Sequence, residues 1–227
     1  MVLVFVEDPA DELSQQALAF ARALGEEVQA VRIGDGQPYA PAAWAQGLVA
    51  AIEDRGPWAV IAPGSERGNE ILAHVAAKTE LPMAANCVSL ALGDPASVVR
   101  LRWGGSLLEE ARLHGSPSLL TVAPHAVAAE GVSEEIDVVA PSTDPADLVV
   151  QVAERVPSAV SGVSLADADV VVSGGRGVGS AEGFALIEEL AALLGGAVGC
   201  SRAVTSAGWR PHTDQVGQTG TKVSPEL

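Results

Sequence analysis

The sequence is poor in aromatic residues, which make up only 4% of it. Its hydrophobic fraction is nevertheless 48%, so any core must be built mainly from Val, Ala and Leu. No unbroken apolar run reaches the roughly 18 residues that a membrane-spanning helix requires. The apolar residues come instead as short strands and helix faces, which predicts an α/β protein that is not membrane-embedded. Cysteine is scarce: Cys87 and Cys200 are the only two. They give no disulfide framework and no metal-ligand spacing, and the expected compartment is the reducing cytoplasm. Basic residues are also few, with 13 Lys and Arg against 29 Asp and Glu and a net charge of −16. That balance excludes the basic face that nucleic-acid binding needs and reads as a solvated surface. The opening "MVLVFVE" has neither a basic segment nor a small-residue cleavage site, so a first buried strand is expected there rather than a signal peptide.

Several catalytic signatures are missing as well. There is no G-x-S-x-G elbow and no Gly-Lys-Ser/Thr phosphate loop. The four histidines, His74, His114, His125 and His212, do not stand at metal-ligand spacing and read as structural or solvent-facing.

What is present is an alternation of strand-like and helix-like runs. "VLVFV" (residues 2–6) is a short apolar strand. Asp8 and Pro9 suit a helix start, and Leu13, Ala17, Phe20, Ala21 and Leu24 then share one helical face that Gly25 closes. "EVQAVRI" is a second strand, Pro41 opens a second helix, "WAVIA" (58–62) is a third strand, and Ser65 caps a third helix. Strand–helix–strand units with short links predict a parallel sheet covered by helices on both faces. After Leu81 the rhythm changes. Val99, Leu101 and Trp103 alternate with Arg100 and Arg102, which predicts an antiparallel hairpin turning at Gly104-Gly105. "SPSLLTVAP" (116–124) reads as a buried strand and "EEIDVVAP" (134–141) as a short one near an edge. A boundary is expected in "VPSAVSGVSLA" (156–166), rich in Ser, Pro and Gly. The expected organisation is an N-terminal α/β domain over 1–157, a linker over 158–166, and a further unit over 167–227.

Glycine is concentrated in that last unit: 11 of the 24 fall between Gly174 and Gly220. In "VVSGGRGVGS" a strand meets a glycine turn and then a helix that Ser180 is expected to start, with Phe184, Ile187, Leu190, Ala191 and Leu194 inward. Strand, glycine turn and helix N-terminus together suit an anion. The stretch departs from the dinucleotide fingerprint, since the sixth position from Gly175 is Ser180 and not Gly or Ala. A tight turn without a ligand explains it equally well. "GCSRAV" places Ser201 and Arg202 after a second strand, and "QVGQTG" adds Gln215, Val216, Gly217, Gln218 and Thr219. Amides and a hydroxyl flanked by glycine suit the edge of a polar heterocycle, which offers both donors and acceptors. None of these groups is a strong base or nucleophile. Such a set binds and tunes a cofactor rather than performing acid–base chemistry.

Three stretches in order, "VVSGGRGVGSAEGF", "GAVGCSRAVTSAGW" and "DQVGQTGTKVSPEL", resemble the cofactor half of the electron transfer flavoprotein α-subunit family. The likeness is close over 170–227 and weaker upstream, in stretches such as "APGSERGNEILAHVAAKTELPMAANCVSL". It implies that 167–227 is the first half of a Rossmann-like FAD-binding domain, here partial. It implies a heterodimer with an electron transfer flavoprotein β subunit, itself commonly holding AMP. It also implies a non-enzymatic electron carrier between acyl-CoA and related dehydrogenases of fatty-acid β-oxidation and a membrane-associated quinone reductase. By the family's pattern Arg176 and Ser201 contact the FAD, Arg202 sits beside the ring, and Val216, Gly217, Gln218 and Thr219 line the isoalloxazine with the Thr219 hydroxyl directed at N5. Family members continue past "PEL" with further FAD contacts, so FAD binding by these residues alone is expected to be weak or absent. Two other readings stand beside this one. One is an NAD- or ATP-using α/β enzyme. The other is a fragment that binds a partner without redox function.

Overall fold

The computed structural model describes residues 1–34, 38–154, 163–165 and 168–227, and the chain divides into two compact units, Met1–Arg155 and Val156–Leu227. The expected linker at 158–166 lies largely outside the described residues.

The first unit follows from its pattern. Strands β1 (Val2–Phe5), β2 (Val28–Ile33) and β3 (Ala59–Pro63) alternate with helices α1 (Glu12–Arg22), α2 (Pro41–Arg55) and α3 (Glu66–Thr79). Strands β4 (Met83–Ala91), β5 (Ala96–Arg102), β6 (Leu107–Leu113), β7 (Ser118–Val122) and β8 (Ile136–Val139) complete one eight-stranded sheet in the order β6-β5-β4-β7-β3-β1-β2-β8. From β4 through β8 in that order all neighbours are parallel. The β4–β5 and β5–β6 pairs are antiparallel, as the alternation around Arg100 and Arg102 predicts. Successive residues of β1 serve opposite faces. Val2 and Val4 pack with Ala17, Leu18, Phe20 and Ala21 of α1. Leu3 and Phe5 pack with Leu48 and Ile52 of α2 and with Ile71, Leu72 and Val75 of α3. With both faces covered, β1, β3 and β7 are buried along their whole length, which is why β1 and β3 read as continuous apolar runs and β7 as a largely apolar one.

One expectation is corrected here. Asp8 does not cap α1. Asp11 does, accepting from the Ser14 N–H at 2.8 Å, while the Asp8 carboxylate turns back to the Ala10 N–H at 2.9 Å. Pro9 therefore belongs to the preceding turn and not to the helix. Strand β4 was not legible in the sequence. Its pairing shifts register against both β5 and β7 around Cys87, and Asn86 takes φ 58°. This bulge breaks the period of two that identifies a strand. Its irregularity is stabilised by Thr121 Oγ1, which accepts the Asn86 N–H at 2.9 Å and donates to Asn69 Oδ1 at 2.9 Å.

The second unit holds a two-stranded parallel sheet of β9 (Val171–Gly174) and β10 (Ala197–Cys200), helix α4 (Phe184–Leu194) and the short helix α5 (Arg202–Ser206). Gly195 ends α4 in the left-handed conformation, φ 66°. Phe184, Cys200 and Val204 form its buried centre. Two expectations about α4 are revised. It begins at Phe184, not Ser180, because Ser180–Gly183 forms a separate turn with the Gly183 N–H bonded to Ser180 Oγ at 3.3 Å. Leu190 and Leu194 are exposed and only Phe184 and Ala191 of the helix are buried. Two strands about 4.8 Å apart cover a narrower stripe than the five positions proposed.

Candidate functional site

The site is built at the carboxyl ends of β9 and β10, where open α/β sheets receive ligands. Three turns leave from this end, the first and third of them glycine-containing. Beyond β9, Gly175 leads into a single 3-10 turn, Arg176–Val178. Beyond β10, Ser201 leads into α5. The third turn, Gln215–Thr221, is brought there by a parallel bridge between Cys200 and Gln215, with the Val216 N–H donating to the Cys200 carbonyl at 2.9 Å. The first two turns are tied in turn by the Ser201 N–H, which donates to the Gly174 carbonyl at 3.0 Å. The Ser201 Oγ lies 3.9 Å from where a Gly175 side chain would begin.

The glycines divide into two kinds. A Cβ on Gly174 would lie 2.7 Å from the Phe184 ring, and one on Gly199 would lie 2.6 Å from Val216 Cγ2. These positions are small because the unit packs through them. A Cβ on Gly177, Gly179 or Gly217 would meet nothing within 4 Å. These three, together with Gly175, leave bare backbone facing open space, which is the cradle a flat ligand needs. Gly217, at φ 112°, also has a conformation that side-chain-bearing residues avoid.

The side chains supply positive charge and hydrogen-bond donors. Arg176 and Arg202 are exposed, and among the described residues neither is paired with a carboxylate. Arg210, by contrast, is spent: it pairs with Asp214 at 2.7 Å and with Glu188, and lies over the Phe184 ring. Ser201 is half-buried. Gly217, Gln218 and Thr219 are exposed at the tip of the third turn. Val216 is half-buried and leans toward Gly199. Gln215 is placed differently from the others: it is 1% exposed, with both ends of its amide engaged inside the unit, by Thr205 and by Thr219. Thr205 had no signal in the sequence, since its role depends on a contact ten residues away. Burial, and then the nearby Asp214, push the Cys200 thiol up, so it stays protonated and inert. Bare amides, two unspent guanidinium groups and a hydroxyl can hold an anionic cofactor with a polar ring, and the donor set fits a flavin dinucleotide.

Comparison with known proteins agrees. Residues 164–227 match the family model described as electron transfer flavoprotein FAD-binding domain, and residues 35–148 match that of the electron transfer flavoprotein domain. The chain is similar to an electron transfer flavoprotein subunit alpha from Mycobacterium leprae, 39% identical over 184 residues, covering 79% of this chain and 57% of the relative. It is also similar to proteins of the same description from Syntrophomonas wolfei, at 34% identity over 93% of this chain and 68% of the relative, and from Megasphaera elsdenii, at 30% over 98% of this chain and 76% of the relative. Among the described residues no helix is long and apolar enough to cross a membrane.

Proposed function

The chain belongs to the electron transfer flavoprotein α-subunit family, and we propose that it is the subunit that binds FAD together with a β-subunit partner. In that role it carries electrons from acyl-CoA and related dehydrogenases to a quinone reductase, in the cytoplasm, as a carrier without a substrate of its own. The N-terminal domain, 1–157, is its partner-supporting part, and 167–227 holds its share of the FAD. The observation that carries this reading is the meeting of three turns, two of them glycine-rich, at one end of the β9–β10 pair, with the Arg176 and Arg202 guanidinium groups beside them and, among the described residues, unpaired with a carboxylate.

The residues divide the work. Arg176 and the backbone around Gly175 and Gly177 hold the anionic part of the cofactor by charge and N–H donation. Ser201 adds a hydroxyl at the junction of the first two turns. Arg202 lies by the ring and favours negative charge on it, an effect stronger in a partly dry site than in water. Val216, Gly217 and Gln218 line the ring, and the Thr219 hydroxyl serves N5. When bound, the flavin supplies the redox chemistry, which no side chain of this set supplies.

The test is co-expression of the protein with an electron transfer flavoprotein β subunit, followed by absorption spectroscopy of the purified complex. With FAD supplied in excess, the expected result is a yellow complex, bleached by a reduced acyl-CoA dehydrogenase. A colourless complex, or turnover with NAD or ATP, would overturn the proposal.

A further inference from the structure

Gln215 stands apart from the rest of the glycine-rich signature. Its neighbours Gly217, Gln218 and Thr219 are exposed, whereas Gln215 is buried to 1% exposure. Its backbone is fixed on both sides. The Gln215 N–H donates to the His212 carbonyl at 3.0 Å, and its carbonyl accepts the Thr221 N–H at 2.7 Å. Its side chain spans two threonines: Oε1 faces Thr205 Oγ1 at 2.7 Å, and Nε2 donates to Thr219 Oγ1 at 2.7 Å. Thr205 Oγ1 also lies 3.0 Å from the Arg202 carbonyl. The chain of contacts therefore runs from the residue that carries the guanidinium, through α5, to the hydroxyl at the tip of the third turn.

The placement of the Gln215 amide gives this chain a direction: the single Thr205 hydrogen goes to Gln215 Oε1 at 2.7 Å rather than to the Arg202 carbonyl at 3.0 Å. A threonine hydroxyl has one hydrogen and two lone pairs, and a glutamine amide has donors at nitrogen only. With Gln215 Nε2 donating to it, Thr219 Oγ1 has one lone pair occupied from inside the unit. Its own hydrogen is not needed there and is left to point outward. We infer that Gln215 is a positioning residue that sets the Thr219 hydroxyl as an outward donor, on the reading that the site holds a flavin. The oxidised isoalloxazine presents a lone pair at N5, so an outward donor favours it. The opposite amide orientation would put Oε1 against Thr219, draw the Thr219 hydrogen inward, and leave the ring facing an acceptor. Gln215 thus acts on the ring without touching it.

Two measurements test this, and the first needs no flavin. In the isotopically labelled protein, the Gln215 side-chain amide hydrogens should exchange at least about tenfold more slowly than those of a free glutamine side chain, as a buried bonded group does. Thr219→Val should abolish that protection, and Thr205→Val should preserve it. Fast exchange in the unsubstituted protein, or loss of protection with Thr205→Val alone, overturns the inference whether or not FAD binds. The second measurement uses the FAD-loaded complex with its β subunit. Gln215→Glu keeps the side-chain shape but accepts at both oxygens, so it turns the Thr219 hydrogen inward. The one-electron equilibrium of the flavin should then shift about tenfold, or about 59 mV. In a Thr219→Val background the same substitution should shift it much less, because the two residues act through one bond. A loaded complex whose flavin is unchanged by Gln215→Glu, or changed equally in both backgrounds, overturns the inference. An unsubstituted complex that takes up no FAD defeats the functional reading instead, and it does so before any variant is made.

Discussion

The Ser201 N–H donates to the Gly174 carbonyl at 3.0 Å, so the turn after β10 starts level with the turn after β9. The glycines packed inside the unit differ from those that face open space. Gly199→Ala would drive a Cβ against Val216 Cγ2 and the Ser173 hydroxyl. It should destabilise the second unit by about 1–3 kcal/mol, the usual cost of overpacking, seen as a lower urea midpoint. Gly177→Ala meets nothing within 4 Å and should leave that midpoint within about 0.5 kcal/mol, yet weaken FAD retention in the complex. Equal effects of the two substitutions on stability would show that the open glycines are structural too.

Arg202 carries the electrostatic part of the proposal. It is exposed and, among the described residues, unpaired, so its charge is available to a bound ring. Arg202→Ala should lower the flavin potential by making the reduced, anionic forms less favourable. The expected size is about 1–4 kcal/mol, from one unit charge near 4 Å in surroundings between water and a protein surface. Arg202→Lys should recover part of the loss. A potentiometric titration of the complex showing no change for Arg202→Ala would remove the residue from the ring's surroundings.

How far the sequence carried this depended on where contacts close. Strands β1 and β3 were legible because burial on both faces writes an unbroken apolar run, and β7 because it is largely apolar and buried. The β5–β6 hairpin was legible from the alternation at Val99–Trp103. Strand β4 was not, because the bulge at Asn86 removes the alternation, and its support comes from Thr121, 35 residues away. The same holds at the site. Glycine spacing marked the first and third turns, but the Cys200–Gln215 bridge is what brings the third one in. It also turns Gln215 inward, so a residue read from its signature as facing a heterocycle makes its side-chain hydrogen bonds to two threonines instead. Position within a motif carries residue type, while the direction of the side chain is settled by tertiary pairing.

The face of α4 offers a direct check on the revised helix orientation. Leu193 is 77% exposed, whereas Ala191, two residues earlier, is 2% exposed. Leu193→Glu should change stability by no more than about 0.5 kcal/mol. Ala191→Glu buries an unpaired charge against β9 and β10 and should cost about 3–5 kcal/mol. Thermal denaturation of both variants decides the matter: comparable losses would mean that the leucine face is covered.

Glu7 gives a pH dependence of unusual sign. It follows β1 and reaches the N-terminus of α3, where it accepts from the Ser65 hydroxyl and from the Gly68 N–H at 3.1 Å, with Arg67 at 4.0 Å. Burial nevertheless dominates and raises its pKa above the ordinary 4.5, against the lowering effect of those donors. Between 4.5 and the raised value the folded chain holds more protons at this group than the unfolded chain does. The contribution of Glu7 to stability therefore falls as pH rises through that window, and its cost is complete above it. Glu134 behaves in the opposite way. The Arg22 guanidinium grips it at 2.7 and 2.6 Å and lowers its pKa, so its contribution is present above 4.5 and disappears as pH falls through the lowered value. Glu7→Gln keeps an oxygen for Ser65 and Gly68 but cannot ionise. It should raise the melting temperature at pH 7 by a few degrees, with the gain shrinking toward pH 4.5. Glu134→Gln should lower the melting temperature at pH 7. If Glu7→Gln instead melts earlier at pH 7, the attraction of Arg67 and the two donors outweighs burial, and Glu7 is a stabilising carboxylate like Glu134.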